Sequence, residues 1–154
     1  MRLNQASDYA LRIVMQCAMN SEAIMRIDDV VAAQNLSKAH VMKLVAQLGR
    51  VGILTTVRGR GGGFQLGRAS NRISVGDVVR AVEADFSVVE CMKDNTEINC
   101  CYSPSCALKP VMGAAVDAFM HVLDGTLISD TVGKMSKPVP FLTPEEQTLQ
   151  KPLA

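Results

Sequence analysis

Three helix-forming segments stand directly before a short β-prone segment that glycine interrupts. Apolar residues recur at three- and four-residue steps over residues 7–20, 28–35 and 38–49, which predicts three amphipathic helices. The expected N-cap residues are Ser7, Asp28 and Ser37. The second and third helices are short and separated by a tight turn, so they form a helix-turn-helix.

The β-prone segment predicts a hairpin with a basic, glycine-rich tip. Residues 53–57 alternate and favour a strand, residues 58–63 read Arg-Gly-Arg-Gly-Gly-Gly, and Phe-Gln-Leu follows. Alone, such a tip is typical of a flexible loop with solvated arginines. It is not a phosphate-binding P-loop, because Gly-Lys-Ser/Thr is missing and a strand follows. A helix-turn-helix followed by a basic hairpin is, however, the order of a winged helix, which indicates DNA binding.

Two sets of residues are candidates for DNA contact. On the third helix the polar face outside the apolar stripe can enter a major groove, and the hairpin tip can enter a minor groove or pair with phosphates. The helix set is Ser37, Lys38, His40 and Lys43, and the wing set is Arg58, Gly59 and Arg60. Taken singly, an exposed lysine or a lone histidine is more often an ordinary surface residue; their common placement favours the DNA interpretation.

Charge and composition fit that interpretation. The 154 residues carry a net charge of +1, but residues 1–68 hold nine Lys/Arg against four Asp/Glu and residues 69–154 hold seven against eleven. The halves are therefore +5 and −4, and a basic half suits a polyanion. The chain lacks a signal-peptide pattern and any apolar run of about 18 residues, so we expect a cytoplasmic protein that is not in a membrane.

Four of the five cysteines fall within sixteen residues: Cys91, Cys100, Cys101 and Cys106. In a reducing compartment such clustering indicates a metal centre, and thiolates favour zinc, Cu(I) or iron–sulfur clusters. The fifth, Cys17, lies within the first helix pattern and is expected to be a small core residue without a function.

The remaining chain is expected to be mostly helical. Ser74 can cap a helix that ends near Glu83, and a long apolar stripe from about Cys106 predicts a dimerisation helix. We therefore expect a mostly α protein with a small β-hairpin, a winged helix-turn-helix plus a long C-terminal dimerisation helix. The predicted divisions are a DNA-binding domain over 1–85, a cysteine loop over 86–106, the dimerisation helix region over 107–133 and a disordered tail over 134–154.

Four motifs taken together resemble the iron–sulfur winged-helix repressor family that includes NsrR, RirA and IscR. They are Ser37-x-x-His40-x-x-Lys43, Arg58-Gly59-x-x-Gly62-Gly63, the opening Met1-Arg2-Leu3 with Asp8-Tyr9-Ala10-Leu11-Arg12, and Cys91-x8-Cys100-x5-Cys106. The resemblance covers roughly residues 1–132. It implies a homodimeric repressor that binds double-stranded operator DNA and holds a cluster on Cys91, Cys100 and Cys106.

Within that family the chain looks most like NsrR. IscR-like members use a histidine three residues after the last cysteine, where this chain has Lys109. NsrR-like members place an aspartate where Asp8 stands, and the resemblance implies that Asp8 of the partner subunit is the fourth ligand. A carboxylate is a poorly matched ligand for a soft centre, so that iron is exposed to nitric oxide. The expected function is release of DNA when nitric oxide nitrosylates the cluster; 4Fe–4S is favoured over 2Fe–2S.

Other interpretations remain open from the sequence. An iron-responsive, RirA-like regulator shares the cysteine spacing, and a cluster-status regulator of the same family is a further alternative. Cys101 is an alternative ligand beside Cys100. A zinc-stabilised transcription factor would use all four sulfurs, although adjacent cysteines are awkward in one tetrahedron and the short Cys-x2-Cys knuckle is missing. A cluster carrier or thiol redox enzyme would need no DNA-reading face. We expect a regulator and not an enzyme.

Overall fold

Residues 3–93, 100–103 and 105–133 are described by the structure, a computed structural model. The predicted disordered tail over 134–154 lies outside these residues, as do residues 94–99 of the cysteine loop. The elements in chain order are α1 (Gln5–Met19), α2 (Ile27–Gln34), α3 (Lys38–Arg50), β1 (Leu54–Val57), β2 (Gly63–Leu66), α4 (Val75–Val82), α5 (Leu108–Asp124) and α6 (Ile128–Gly133).

The predicted fold class is confirmed: the described chain is mostly helical, with one antiparallel hairpin. In the hairpin Leu54 pairs with Leu66 and Val57 with Gly63. Short 3₁₀ turns precede α4 (Ser70–Arg72) and follow it (Glu90–Met92). The predicted divisions of the chain at residues 85, 106 and 133 stay predictions.

Helices α1, α3 and α4 surround a core of aliphatic side chains, as their three- and four-residue periodicity requires. The fully buried side chains include Ile13, Val14, Val41, Leu48, Ile53, Phe64, Ile73, Val78 and Ile128. Burying a side chain of this size stabilises a fold by about 1.5–3 kcal/mol. The core therefore fixes α3 and the hairpin to the rest of the domain.

Two helix starts differ from prediction. Asn4, and not Ser7, caps α1: its side-chain oxygen accepts a hydrogen bond from the Ser7 backbone N–H at 2.9 Å. Asp28 lies inside α2, whose N-cap is Arg26. Ser, Asn and Asp all suit N-caps, and Asp also suits the first turn, so residue type alone does not fix the start. The predicted caps Ser37 and Ser74 are confirmed, accepting from the backbone N–H groups of His40 and Asp77.

After α5 the chain packs back against the start of α4, through a helix that the sequence pattern does not predict. The Val75 N–H donates to the Thr126 carbonyl at 2.8 Å, and the Ile128 N–H donates to the Ile73 carbonyl at 2.9 Å. Ile128, at the start of α6, is fully buried. Six residues are too few to display a helical period, so the sequence pattern gives no signal for α6.

Candidate nucleic-acid interface and metal centre

Helix α3 presents the predicted DNA-contacting residues to solvent. Its apolar side, Val41, Leu44, Val45 and Leu48, is buried. Ser37 accepts a hydrogen bond from the His40 N–H at 3.3 Å and so fixes the first turn. Ser37, Lys38, His40 and Lys43 are all exposed, which is the arrangement that a recognition helix requires.

Lys38 and His40 each contact a neighbouring helix. The Lys38 ammonium lies 2.7 Å from the Asp28 carboxylate of α2, with the two side chains 60% and 69% exposed. An ion pair this exposed contributes about 0–1 kcal/mol, so a phosphate can compete for Lys38. The His40 ring lies 6.3 Å from the Tyr9 ring of α1, measured between centroids, at an interplanar angle of 55°.

The hairpin tip is held on a rigid base while its arginines stay exposed. Phe64 is buried, and its backbone exchanges two hydrogen bonds of 2.8 Å with Met25, in the segment before α2. Gly59 and Gly61 have φ values of +112° and +86°, a backbone region that side chains disfavour. Arg58 and Arg60 are exposed at this tip, in reach of a polyanion.

The four clustered cysteines all lie in the connection between α4 and α5. Cys91 is in the 3₁₀ turn after α4 and is half-buried, as is Cys106, two residues before α5. Cys100 and Cys101 are exposed. Within residues 3–93, 100–103 and 105–133, no three Cys, His, Asp or Glu side chains are arranged to hold a metal ion.

The donor chemistry nonetheless fits a thiolate-bound metal centre. Water reaches the four thiols of this connection to differing degrees, so they are available as ligands. Cys17 differs: it is 1% exposed within the core, and burial raises the pKa of its thiol to about 12. A thiol that resists ionisation is a poor metal ligand, so the prediction that Cys17 is a core residue is confirmed.

Asp8, the fourth predicted ligand, lies in the first turn of α1 and is exposed. Its carboxylate pairs with Arg12 one turn later, at 2.7 Å, with both side chains about half exposed. The Arg12 guanidinium in turn lies 5.9 Å from the centroid of the Tyr9 ring. A continuous set of contacts therefore runs from Asp8 through Arg12 and Tyr9 to His40 on α3.

Glu83 positions the helix turn that carries Asp8, a role that the sequence pattern did not indicate. Its carboxylate accepts hydrogen bonds from the Asn4 backbone N–H, the Asn4 side-chain amide and the Ser7 hydroxyl, each at 2.7 Å. Glu83 ends α4, immediately before the connection that holds the cysteines. Glu83 is more than 75 residues away along the chain from Asn4 and Ser7, so no local sequence pattern predicts these hydrogen bonds.

Comparison with known proteins identifies what this arrangement resembles. The Rrf2 family model, described as an iron-dependent transcriptional regulator, matches residues 3–134. The chain is 40% identical to the HTH-type transcriptional regulator NsrR of Bacillus licheniformis, over 86% of this chain and 92% of that protein. It is 38% identical to NsrR of Bacillus subtilis, over 86% and 90%. Among solved structures, the global cysteine regulator CymR of B. subtilis superposes with a TM-score of 0.70 at 26% identity, covering 88% of this chain and 99% of that one.

Proposed function

We propose a specific function for this chain, which belongs to the Rrf2 family of transcriptional regulators and is therefore a DNA-binding regulator and not an enzyme. It is a repressor whose affinity for operator DNA depends on an iron–sulfur cluster and falls on exposure to nitric oxide. The observation that carries this proposal is the joint occurrence of an exposed recognition helix, four accessible cysteines in one connection, and Asp8 at the start of α1. The cytoplasmic location stays a prediction.

The homodimer is supported by the outer face of α5. Leu108, Val111, Ala115, Ala118 and Val122 are all exposed and follow one another at steps of three, four, three and four residues. That spacing is typical of a helix that packs against a second helix. The opposite side of α5 faces the domain through Val116 and Met120, which are buried. A second copy of the chain would cover the outer stripe.

The proposed ligands are Cys91, Cys100 and Cys106 of one subunit and Asp8 of the partner subunit. When bound, the cluster supplies an iron that sulfur holds incompletely and that nitric oxide can attack. The exposed Asp8–Arg12 ion pair contributes little stability. When Asp8 binds the cluster instead, Arg12 loses this partner and is free to move beside Tyr9. His40 contacts that same tyrosine, which gives α3 a physical link to the ligand set.

The test is an anaerobic titration of the purified coloured dimer, followed by visible absorption and by binding to DNA that the protein itself selects from a random pool. Stoichiometric nitric oxide should lower DNA affinity about 5- to 150-fold, the range typical of coupled sites. An iron chelator at the same dose should leave DNA bound. Release by the chelator alone would instead favour an iron-responsive regulator.

Single Cys→Ser variants test the ligand set, with adjacent positions as matched controls. Replacing Cys91, Cys100 or Cys106 should remove the visible absorption, whereas Cys101→Ser and the core variant Cys17→Ser should retain it. If Cys101→Ser loses the visible absorption and Cys100→Ser retains it, then Cys101, and not Cys100, is the ligand. Colourless wild-type protein containing one zinc ion per chain would support the zinc-stabilised transcription factor and contradict the proposal.

A further inference from the structure

The exposed face of α3 carries apolar side chains beside its charged ones. In an α-helix successive residues turn by about 100°, so Ala39, Lys43, Ala46 and Arg50 lie opposite the buried stripe and Met42 lies about 70° to one side of that direction. All five side chains are exposed. Lys38 and His40 lie on the two edges of this face, one paired with Asp28 and the other beside Tyr9.

Met42 has the longest apolar side chain on the exposed face of α3. It is 55% exposed, although large apolar side chains normally gain by burial. Ala39 and Ala46, on either side, carry only methyl groups and allow a partner to approach the helix closely. An exposed methionine between two alanines is unexplained by the packing of the domain itself.

The charges around Met42 indicate what partner covers it. Helix α3 carries Lys38, Lys43 and Arg50 and no acidic residue, and the wing adds Arg58 and Arg60. A surface of this charge repels a second copy of itself and attracts a polyanion. In the major groove of DNA, the thymine 5-methyl is the apolar group on the base edges, and apolar side chains read it.

We propose that Met42 contacts the 5-methyl group of a thymine in each operator half-site and thereby determines sequence specificity. The inference rests on the DNA-binding function proposed above. Lys43, beside it, supplies attraction to phosphate or to guanine acceptors, whereas Met42 discriminates thymine from cytosine through the methyl contact. A similar role for Ala39 or Ala46 would require a closer approach, because their side chains are shorter.

The experiment removes the methyl group and the methionine separately. Wild-type protein selects its site from a random DNA pool, and each thymine of that site is then replaced by deoxyuridine, which lacks only the 5-methyl. One replacement in each half-site should weaken wild-type binding about four- to fifteenfold, the range expected for one or two buried methyl contacts. Met42→Ala should bind the thymine site more weakly and bind thymine and deoxyuridine sites equally.

Lys43→Ala is the matched control on the same face. It should weaken binding to thymine and deoxyuridine sites by the same factor, leaving the methyl effect intact. Met42→Leu, which retains an apolar side chain, should retain the methyl effect, and circular dichroism checks that both Met42 variants fold. If deoxyuridine substitution weakens DNA binding by Met42→Ala as much as it weakens binding by wild type, the inference is wrong. It is also wrong if no thymine replacement weakens binding by wild type. In both cases the proposed DNA binding stands. Failure of wild type to select any DNA sequence would contradict the proposed function itself, and a changed oligomeric state in Met42→Ala would assign the residue to a contact between subunits.

Discussion

At the scale of single residues, burial separates Cys17 from the other cysteines. Cys17 is enclosed in the core, whereas Cys100 and Cys101 are exposed and Cys91 and Cys106 are half-buried. Sequence position predicted this difference, because Cys17 lies in a helix with an apolar face and the others lie in a connection between helices. The physical consequence is that water cannot readily reach and stabilise a thiolate at Cys17.

Cys17 should make the folded state sensitive to alkaline pH. Burial raises the pKa of its thiol from 9.0 to about 12, so the stabilising effect of the neutral thiol is complete below pH 9 and is lost as pH rises toward 12. By pH 10.5 the loss amounts to about 2 kcal/mol. Urea denaturation of cluster-free, reduced protein at pH 8 to 10.5 should show this loss in wild type and not in Cys17→Ala.

The exposed cysteine supplies the control for that measurement. Cys101→Ala should keep the pH dependence of wild type, because it leaves the buried Cys17 thiol in place. Other groups that titrate above pH 9 affect wild type and both variants alike. Equal pH dependence in wild type and Cys17→Ala would contradict the expected desolvation of this thiol.

At the scale of elements, an ion pair joins α4 to α5. Both terminal guanidinium nitrogens of Arg80 on α4 donate to the Asp124 carboxylate at the end of α5, one of them at 2.7 Å. The hydrogen bond from Arg80 keeps the pKa of Asp124 below its usual value. The pair therefore stabilises the fold above pH 4 and loses its effect as pH falls below that value. Gly76 lies directly beneath the carboxylate.

Replacement of Gly76 should have opposite effects in two backgrounds. In wild type, a Cβ at residue 76 would overlap the Asp124 carboxylate, so Gly76→Ala should displace it from Arg80 and lower the melting temperature. In an Asp124→Ala background the carboxylate is absent, and the Arg80 side chain, which a Cβ would also meet, no longer has a partner that holds it there. The same change should then stabilise the helix by up to about 1 kcal/mol, because alanine favours helices over glycine. Calorimetry of wild type, Gly76→Ala, Asp124→Ala and the double variant gives the melting temperatures of a double-mutant cycle. Additive effects of the two changes on stability would contradict the expected overlap between residue 76 and Asp124.

The elements also show where prediction from sequence succeeds and where it stops. The helix-turn-helix, the hairpin and the caps Ser37 and Ser74 could be predicted, because each follows from a periodicity or a residue type within a few positions. The anchoring of Asn4 and Ser7 by Glu83 could not, because it joins residues far apart in the chain. For α5 the pattern predicted one apolar stripe, whereas the structure divides its apolar residues between a buried side and an exposed side.

At the scale of the whole molecule, the proposed function depends on a second copy of the chain. The exposed stripe of α5 follows directly after the cysteine connection, and Asp8 lies on α1, against which α4 packs. None of the helices among the described residues has the length and hydropathy needed to cross a bilayer. A second copy on α5 would place two recognition helices under one symmetry axis, and two-fold operators are read in this way.

Charge introduced into the α5 stripe should therefore weaken dimerisation, specific DNA binding and cluster binding together. Val111 and Val122 are 60% and 65% exposed, so replacing both with aspartate should leave the domain folded while burying two charges in any dimer, at a cost of several kcal/mol. Sedimentation should show a monomer at micromolar concentration, with specific DNA affinity reduced at least 100-fold and cluster colour reduced because Asp8 of the partner subunit is missing. Asp117→Lys, which reverses a charge at an exposed position on another face of α5, should remain a dimer. A double aspartate variant that stays dimeric would place the subunit contact on another surface, and a monomer that keeps its full colour would remove Asp8 of the partner subunit from the ligand set.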